Sequence, residues 1–190
     1  NDDGQSIVLH KKLNFSLFPY YLITSRLSPN GNFETMRILI PDIWVYRTYI
    51  HDFTATLRSE GHTVTVDSES FWRGPTEEDL LLWMWPEGFF RHSLGGRLGH
   101  LTLKQREGFE STLSQWKAKV PVMGVMHNFM PRCVLGNAGR HWIALYRHLV
   151  HNSDGVIHLG QFSLDKWAER FGLEGQQPAA LRVSHGLFEQ

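Results

Sequence analysis

Cysteine is nearly absent from this 190-residue chain: Cys133 stands alone. No internal disulfide framework can form, and the composition fits a reducing, cytoplasmic compartment. Net charge is absent too, since 19 Lys and Arg balance 19 Asp and Glu. No overall field draws the chain to nucleic acid, and a nucleic-acid partner is not expected. Every apolar stretch is cut by charge or glycine well before the roughly 20 residues that span a bilayer. At most a peripheral attachment at the inner face of a membrane is left open. Two glycine signatures are also lacking. The first strand-like run is followed by PDIWVYRTY, residues 41–49, so a dinucleotide pyrophosphate has no Cβ-free approach there. No GxxxxGK[ST] occurs to cradle phosphates. Nicotinamide, flavin and P-loop chemistry are therefore disfavoured, and no resident cofactor is expected.

What is present starts in earnest at Met36. Residues 1–35 carry an apolar patch around Phe15 to Ile23, but Pro19 breaks it and no sustained period runs through it. It lacks the long apolar core and small-residue cleavage site of a signal peptide. These residues read as a poorly structured upstream or vector-derived extension, the alternative being an ordered N-terminal segment. Residues 36–190 read as one domain.

From Met36 the apolar pattern alternates between strand and helix. Ile38 to Ile40 is a short continuous run that suits a strand covered on both faces. Tyr46, Ile50, Phe53 and Leu57 recur at helical spacing, with Gly61 placed to end the helix. HTVTV (62–66) reads as a strand, RGPTEED (73–79) as a polar turn, and LLLWMW (80–85) as a strand stopped by Pro86. Thr102 and Gln105 stand in capping-box spacing before a helix that stacks Phe109, Leu113 and Trp116 on one face. VPVMGVM (120–126) follows as a strand. Then come a helix carrying Trp142, Tyr146, Leu149 and Val150, the strand DGVIHLG (154–160), and a helix capped by Ser163 with Leu164, Trp167, Ala168 and Phe171 on one face. ALRVS (180–184) is a last strand. Strands alternating with helices imply parallel pairing through right-handed crossovers, hence an α/β, Rossmann-like three-layer αβα sandwich with a mostly parallel sheet.

In such sheets the ligand sits outside the carboxyl ends of the strands. The residues that leave the strands there are Asp42 and Trp44, Trp85 and Glu87, His127 and Asn128, Gly160 and Gln161, and His185 and Gly186. Trp85 offers an indole to stack on a sugar or other ring, and Glu87 a carboxylate to bind hydroxyls or take a proton; both also read as core and punctuation. His127 ends an apolar run abruptly and offers a neutral donor or acceptor that titrates near physiological pH. A loop-capping role for His127 and Asn128 is the plainer alternative. Cys133 beside His127 has the residue types of a nucleophile and base, but six residues of proline-containing loop dictate no such geometry. His141, His148 and His151 share a helix at one- and two-turn spacings. Without a convergent acidic or thiolate companion they read as polar-face residues, and no metal is expected.

WPE (85–87), HNFMPR (127–132), WIALYRHLVHNSDGVIHLG (142–160) and VSHG (183–186), in that order and spacing, resemble the N-terminal half of GT-B glycosyltransferases, specifically the family 4-like group. The resemblance covers residues 36–190. It implies the acceptor-side member of a pair of Rossmann-like domains, truncated before the donor-binding domain. A nucleotide-sugar serves as co-substrate and a glycan or lipid-linked molecule as acceptor. By this likeness His127 approaches the transferred sugar, Asn128 supports its loop, and His185 with Gly186 marks the run-out toward the second domain. Two departures stand out. The family's histidine after the proline is here Arg132, whose guanidinium could instead hold a phosphate. Asp42 and Trp44 occupy the place of the glycine-rich loop. The expected site is thus His127 and Glu87 as catalytic groups, with Asp42, Trp44, Trp85, Asn128, Arg132, His185 and Gly186 binding substrate. Two other readings stay open: a non-catalytic receiver-like or flavodoxin-like binding module, and half of a sugar-nucleotide epimerase.

Overall fold

Runs rich in Ile, Leu and Val make strands here because both of their faces are covered. The structure, a computed structural model, describes residues 35–43, 48–90, 101–127, 137–171 and 179–182. The described strands are β1 (Arg37–Ile40), β2 (Thr63–Val66), β3 (Leu80–Trp83), β4 (Val122–Met126), β5 (Gly155–His158) and β6 (Ala179–Arg182). They form one sheet in the order β2-β1-β3-β4-β5-β6, and every pairing is parallel. The helices are α1 (Thr48–Ser59), α2 (Ser68–Arg73), α3 (Leu103–Lys117), α4 (Asn137–His151) and α5 (Gln161–Phe171), with a 3₁₀ helix, η1, at Pro86–Phe90.

Alternation along the strands sorts the core into two layers of side chains. Ile38, Ile40, Val64, Leu80, Leu82, Val125 and Ile157 point to one face, where Ile50, Phe53 and Leu57 of α1 meet them. Leu39, Leu81, Trp83, Val122, Met126 and Val156 point to the other. There they meet Phe71 of α2, Phe109, Leu113 and Trp116 of α3, Trp142, Tyr146 and Leu149 of α4, and Trp167 and Phe171 of α5. The three-layer α/β sandwich read from the sequence is the observed architecture. The strand order, however, is the flavodoxin-like variant of the doubly wound sheet, with its switch point between β1 and β3, and not the dinucleotide-binding order 3-2-1-4-5-6.

Several local signals act as expected. Gly61 adopts φ +92°, its amide donates to the Arg58 carbonyl, and the His62 amide donates to that of Leu57. This pattern closes α1 as a Schellman motif. Thr102 and Gln105 form both halves of a capping box on α3. Others differ. A six-residue helix, α2, occupies part of the link between β2 and β3, started by Asp67, whose carboxylate accepts from the amides of Glu69 and Ser70. β3 stops at Trp83, two residues short of the expected Trp85. The last helix begins at Gln161 and not behind Ser163, and the Ser163 hydroxyl is engaged by His158 at 2.9 Å. Tyr46 of the first expected helix, Cys133, and residues 1–34 lie outside the described residues.

One contact fixes how β3 and β4 lie together. Trp83 pairs with Gly124 across the ladder, and its indole lies over that glycine. The Trp83 Nε1–H donates to Ser153 Oγ at 2.9 Å, and that hydroxyl in turn donates to the Leu149 carbonyl at 2.9 Å. The strand pair that leads to Trp85 and His127 is thereby keyed to the end of α4.

Candidate functional site

The switch point brings the exits of β1, β3 and β4 together. β1 leaves through Pro41 and Asp42. The Asp42 side chain is buried, and its Oδ1 accepts from the Ile43 amide at 2.7 Å. η1 crosses directly against this exit. A Cβ added at Gly88 would stand 2.5 Å from the Pro41 carbonyl oxygen and 2.9 Å from Asp42 Oδ2, distances that only glycine tolerates. The Gly88 amide donates to the Trp85 carbonyl at 2.7 Å, and the Trp72 Nε1–H donates to the Phe89 carbonyl at 2.7 Å. η1 is therefore held on both sides.

Because β3 ends at Trp83, the strict alternation of the strand is broken before Trp85, and the indole turns to the α1 side of the sheet. There it meets His127, the first residue after β4. The two rings stack with centroids 4.2 Å apart and planes at 18°. Tyr49, in the first turn of α1, stands edge-on to both, 4.8 Å from His127 at 89° and 5.7 Å from Trp85 at 79°. The Tyr49 ring in turn lies nearly parallel to Phe53. Burial holds the Tyr49 hydroxyl well above the ordinary phenol range, so it stays protonated. The imidazole of His127 is thus oriented by aromatic packing, with its Nε2 buried, while the residue as a whole is only partly buried.

Glu87, expected beside His127 as an acid or base, is turned to the opposite face. Its Oε2 accepts a hydrogen bond from the Tyr146 hydroxyl of α4 at 3.1 Å, with both residues buried. Burial first, and then the neighbouring carboxylate, keep the Tyr146 hydroxyl far above its usual range, so it remains a donor. Of the residues expected at the site, the structure therefore stacks Trp85 on His127 at the switch-point crevice, buries Asp42 against η1 and turns the Glu87 carboxylate to the other face. Trp44, Asn128, Arg132, His185 and Gly186 lie outside the described residues.

Two groups were missed by reading the sequence. Tyr49 is one; its neighbour Ile50 carries the helical period, and nothing local marks a tyrosine that reaches across to two strand ends. His158 is the other. It is fully buried at the end of β5, edge-on to Trp167 at 4.6 Å, with Nδ1 2.9 Å from Ser163 Oγ. Burial pushes its pKa down to about 4, which makes it a neutral core histidine. His148 of α4 is half-buried beside α3, and burial lowers its pKa. Among the described residues, no three His, Cys, Asp or Glu side chains converge as metal ligands.

The exposed large hydrophobic residues among those described are Ile43, Leu103 and Phe162. Each follows a strand exit or opens a crossover helix, so all three belong to the same carboxyl edge as the crevice. No described helix is long and apolar enough to cross a membrane. Compared with known families and curated proteins, the chain matches no family model and no curated sequence.

Proposed function

We propose that residues 36–190 form the acceptor-side domain of a glycosyltransferase that moves a sugar from a nucleotide-sugar donor to a glycan or lipid-linked acceptor. The donor would be held by a second Rossmann-like domain. The observation that carries this reading is the His127 imidazole set between Trp85 and Tyr49 at the carboxyl edge of the sheet. An imidazole fixed in this way is suited to orient an acceptor hydroxyl and to take its proton as the glycosidic bond forms. Trp85, only partly buried, brings an indole of the kind that stacks on a pyranose ring. The exposed Ile43, Leu103 and Phe162 suit the hydrocarbon of a lipid-linked acceptor. Glu87 serves this site from behind, as a buried brace of η1.

Saturation-transfer NMR of the purified chain, against neutral oligosaccharides and against nucleotide sugars, tests the reading. Contact with an oligosaccharide that disappears in Trp85→Ala and weakens in His127→Ala is the expected result. Failure of any saccharide to contact the wild-type chain, or contact unchanged in both variants, would overturn it. The flavodoxin-like strand order also favours the second reading, a non-catalytic binding module. In that case ligand contact survives but His127→Ala leaves the activity of the full-length protein unchanged.

A further inference from the structure

Tyr146 lies on α4, on the face of the sheet away from the Trp85–His127 stack, and nothing in the chemistry proposed above uses it. Yet its hydroxyl is spent on the one carboxylate of η1. Tyr146 reaches Glu87 across 59 positions of sequence, and both groups are almost wholly removed from water. A buried carboxylate is costly unless hydrogen bonds satisfy it. A buried donor that meets Glu87 therefore helps to fix the main chain that carries it. That main chain is short. Trp85 immediately precedes η1, its carbonyl accepts from the Gly88 amide, and Gly88 has no room to move toward β1, since even a methyl group there would strike Pro41 and Asp42. Trp72 closes the far side through Phe89. With η1 held by Gly88 against β1 and by Trp72 at Phe89, the Tyr146–Glu87 bond secures the turn nearest Trp85.

We infer that Tyr146 is a positioning residue for the crevice, acting through Glu87 and η1 to set the angle at which Trp85 stacks on His127. The inference rests on the crevice described above being the site, but not on the sugar chemistry assigned to it.

The test reads the stack directly. The ring protons of His127, lying over the indole, are displaced upfield by its ring current, and histidine-labelled protein reports that displacement once the signal is assigned with His127→Gln. In Tyr146→Phe the displacement is expected to be lost. Glu87→Leu, which removes the acceptor, should lose it to the same degree. Glu87→Gln, whose amide oxygen still accepts from Tyr146, should retain it. A wild-type His127 signal in folded Tyr146→Phe, even with a lowered melting temperature, would make Tyr146 structural only and would overturn the inference. Should Tyr146→Phe fail to fold, the contrast between Glu87→Leu and Glu87→Gln decides, and identical signals in the two would overturn it. Oligosaccharide contact measured on the same samples keeps the two readings apart. A wild type that shows the displaced signal but contacts no saccharide counts against the proposed function alone.

Discussion

Gly124→Ala isolates the contact that sets the two site-bearing strands side by side. An alanine Cβ at this position would fall well inside van der Waals contact distance of three indole carbons of Trp83, the least close of them at 2.7 Å. Carbon atoms pack at about 3.5–4.0 Å, so the indole would have to withdraw by roughly 1 Å or more. It has nowhere to go without loss. Trp83 is fully buried, and its Nε1–H is committed to Ser153. Overpacking a core costs about 1–3 kcal/mol, and giving up the Trp83–Ser153 bond about 1 kcal/mol more. The expected destabilisation is therefore about 2–4 kcal/mol, or roughly 5–15 °C in Tm for a chain of this size. Chemical denaturation and thermal melts of Gly124→Ala, Trp83→Leu and the double variant make a cycle. Trp83→Leu vacates the space that the new methyl needs, so the double variant should be more stable than the sum of the single losses by about 1 kcal/mol or more. Strict additivity, or a Gly124→Ala protein that melts like the wild type, would show that the indole does not lie on Gly124.

Other perturbations test other parts of the structure. If the proposed sugar transfer holds, His127→Ala should leave the melting temperature nearly unchanged while lowering its kcat/KM by roughly ten- to a thousandfold; a large fall in Tm with normal transfer would make the histidine structural. Gly88→Ala should cost about 1–3 kcal/mol and also abolish oligosaccharide contact, because η1 must move off β1; contact at wild-type strength would refute the close approach. Asp67→Ala removes the cap of α2 and should cost about 1 kcal/mol in urea denaturation, an effect absent from Asp67→Asn. His158 is buried neutral with a folded pKa of about 4, below its unfolded value, so the unfolded chain binds more protons between pH 6.5 and 4. Its stabilising contribution is thus complete above that window and is lost as pH falls through it, by about 3 kcal/mol at the acid end; urea midpoints of His158→Gln should show a flatter acid limb, and an unaltered limb would mean that another group titrates.

The fold was legible wherever a pattern is local. Three leucines with Trp83, or Val122 to Met126, are apolar whichever face they present, and in a parallel sheet both faces are buried. The cap at Thr102 and the stop at Gly61 depend only on residues within one turn, so they could be read directly. What was hidden depends on partners far away in sequence. α2 has six residues and too little length for a period; the Asp67 cap and the burial of Phe71 against α3 create it. Ser163 looks like a cap from its neighbours, yet a histidine five residues earlier claims its hydroxyl. The strand order could not be read at all, since β2 lies outside β1 only because its crossover returns on the α1 face.

The site divides in the same way. That His127 and Trp85 leave strands at the same edge follows from the carboxyl-edge rule; that those strands are neighbours is known only from the structure. Which way each side chain turns does not follow. Continued alternation from Trp83 would send Trp85 to the α4 face, but the strand ends first, and the chain uses the two residues so freed to bring the indole over His127. Glu87 goes the other way for an energetic reason. A carboxylate that loses water needs a donor, and the Tyr146 hydroxyl lies on that face, whereas the face of His127 is lined by the rings of Tyr49 and Trp85. An acid two residues from a tryptophan in sequence is thus drawn away from it in space. The pairing of charge with a distant donor, which no short motif encodes, decides which side chains of WPE face the crevice.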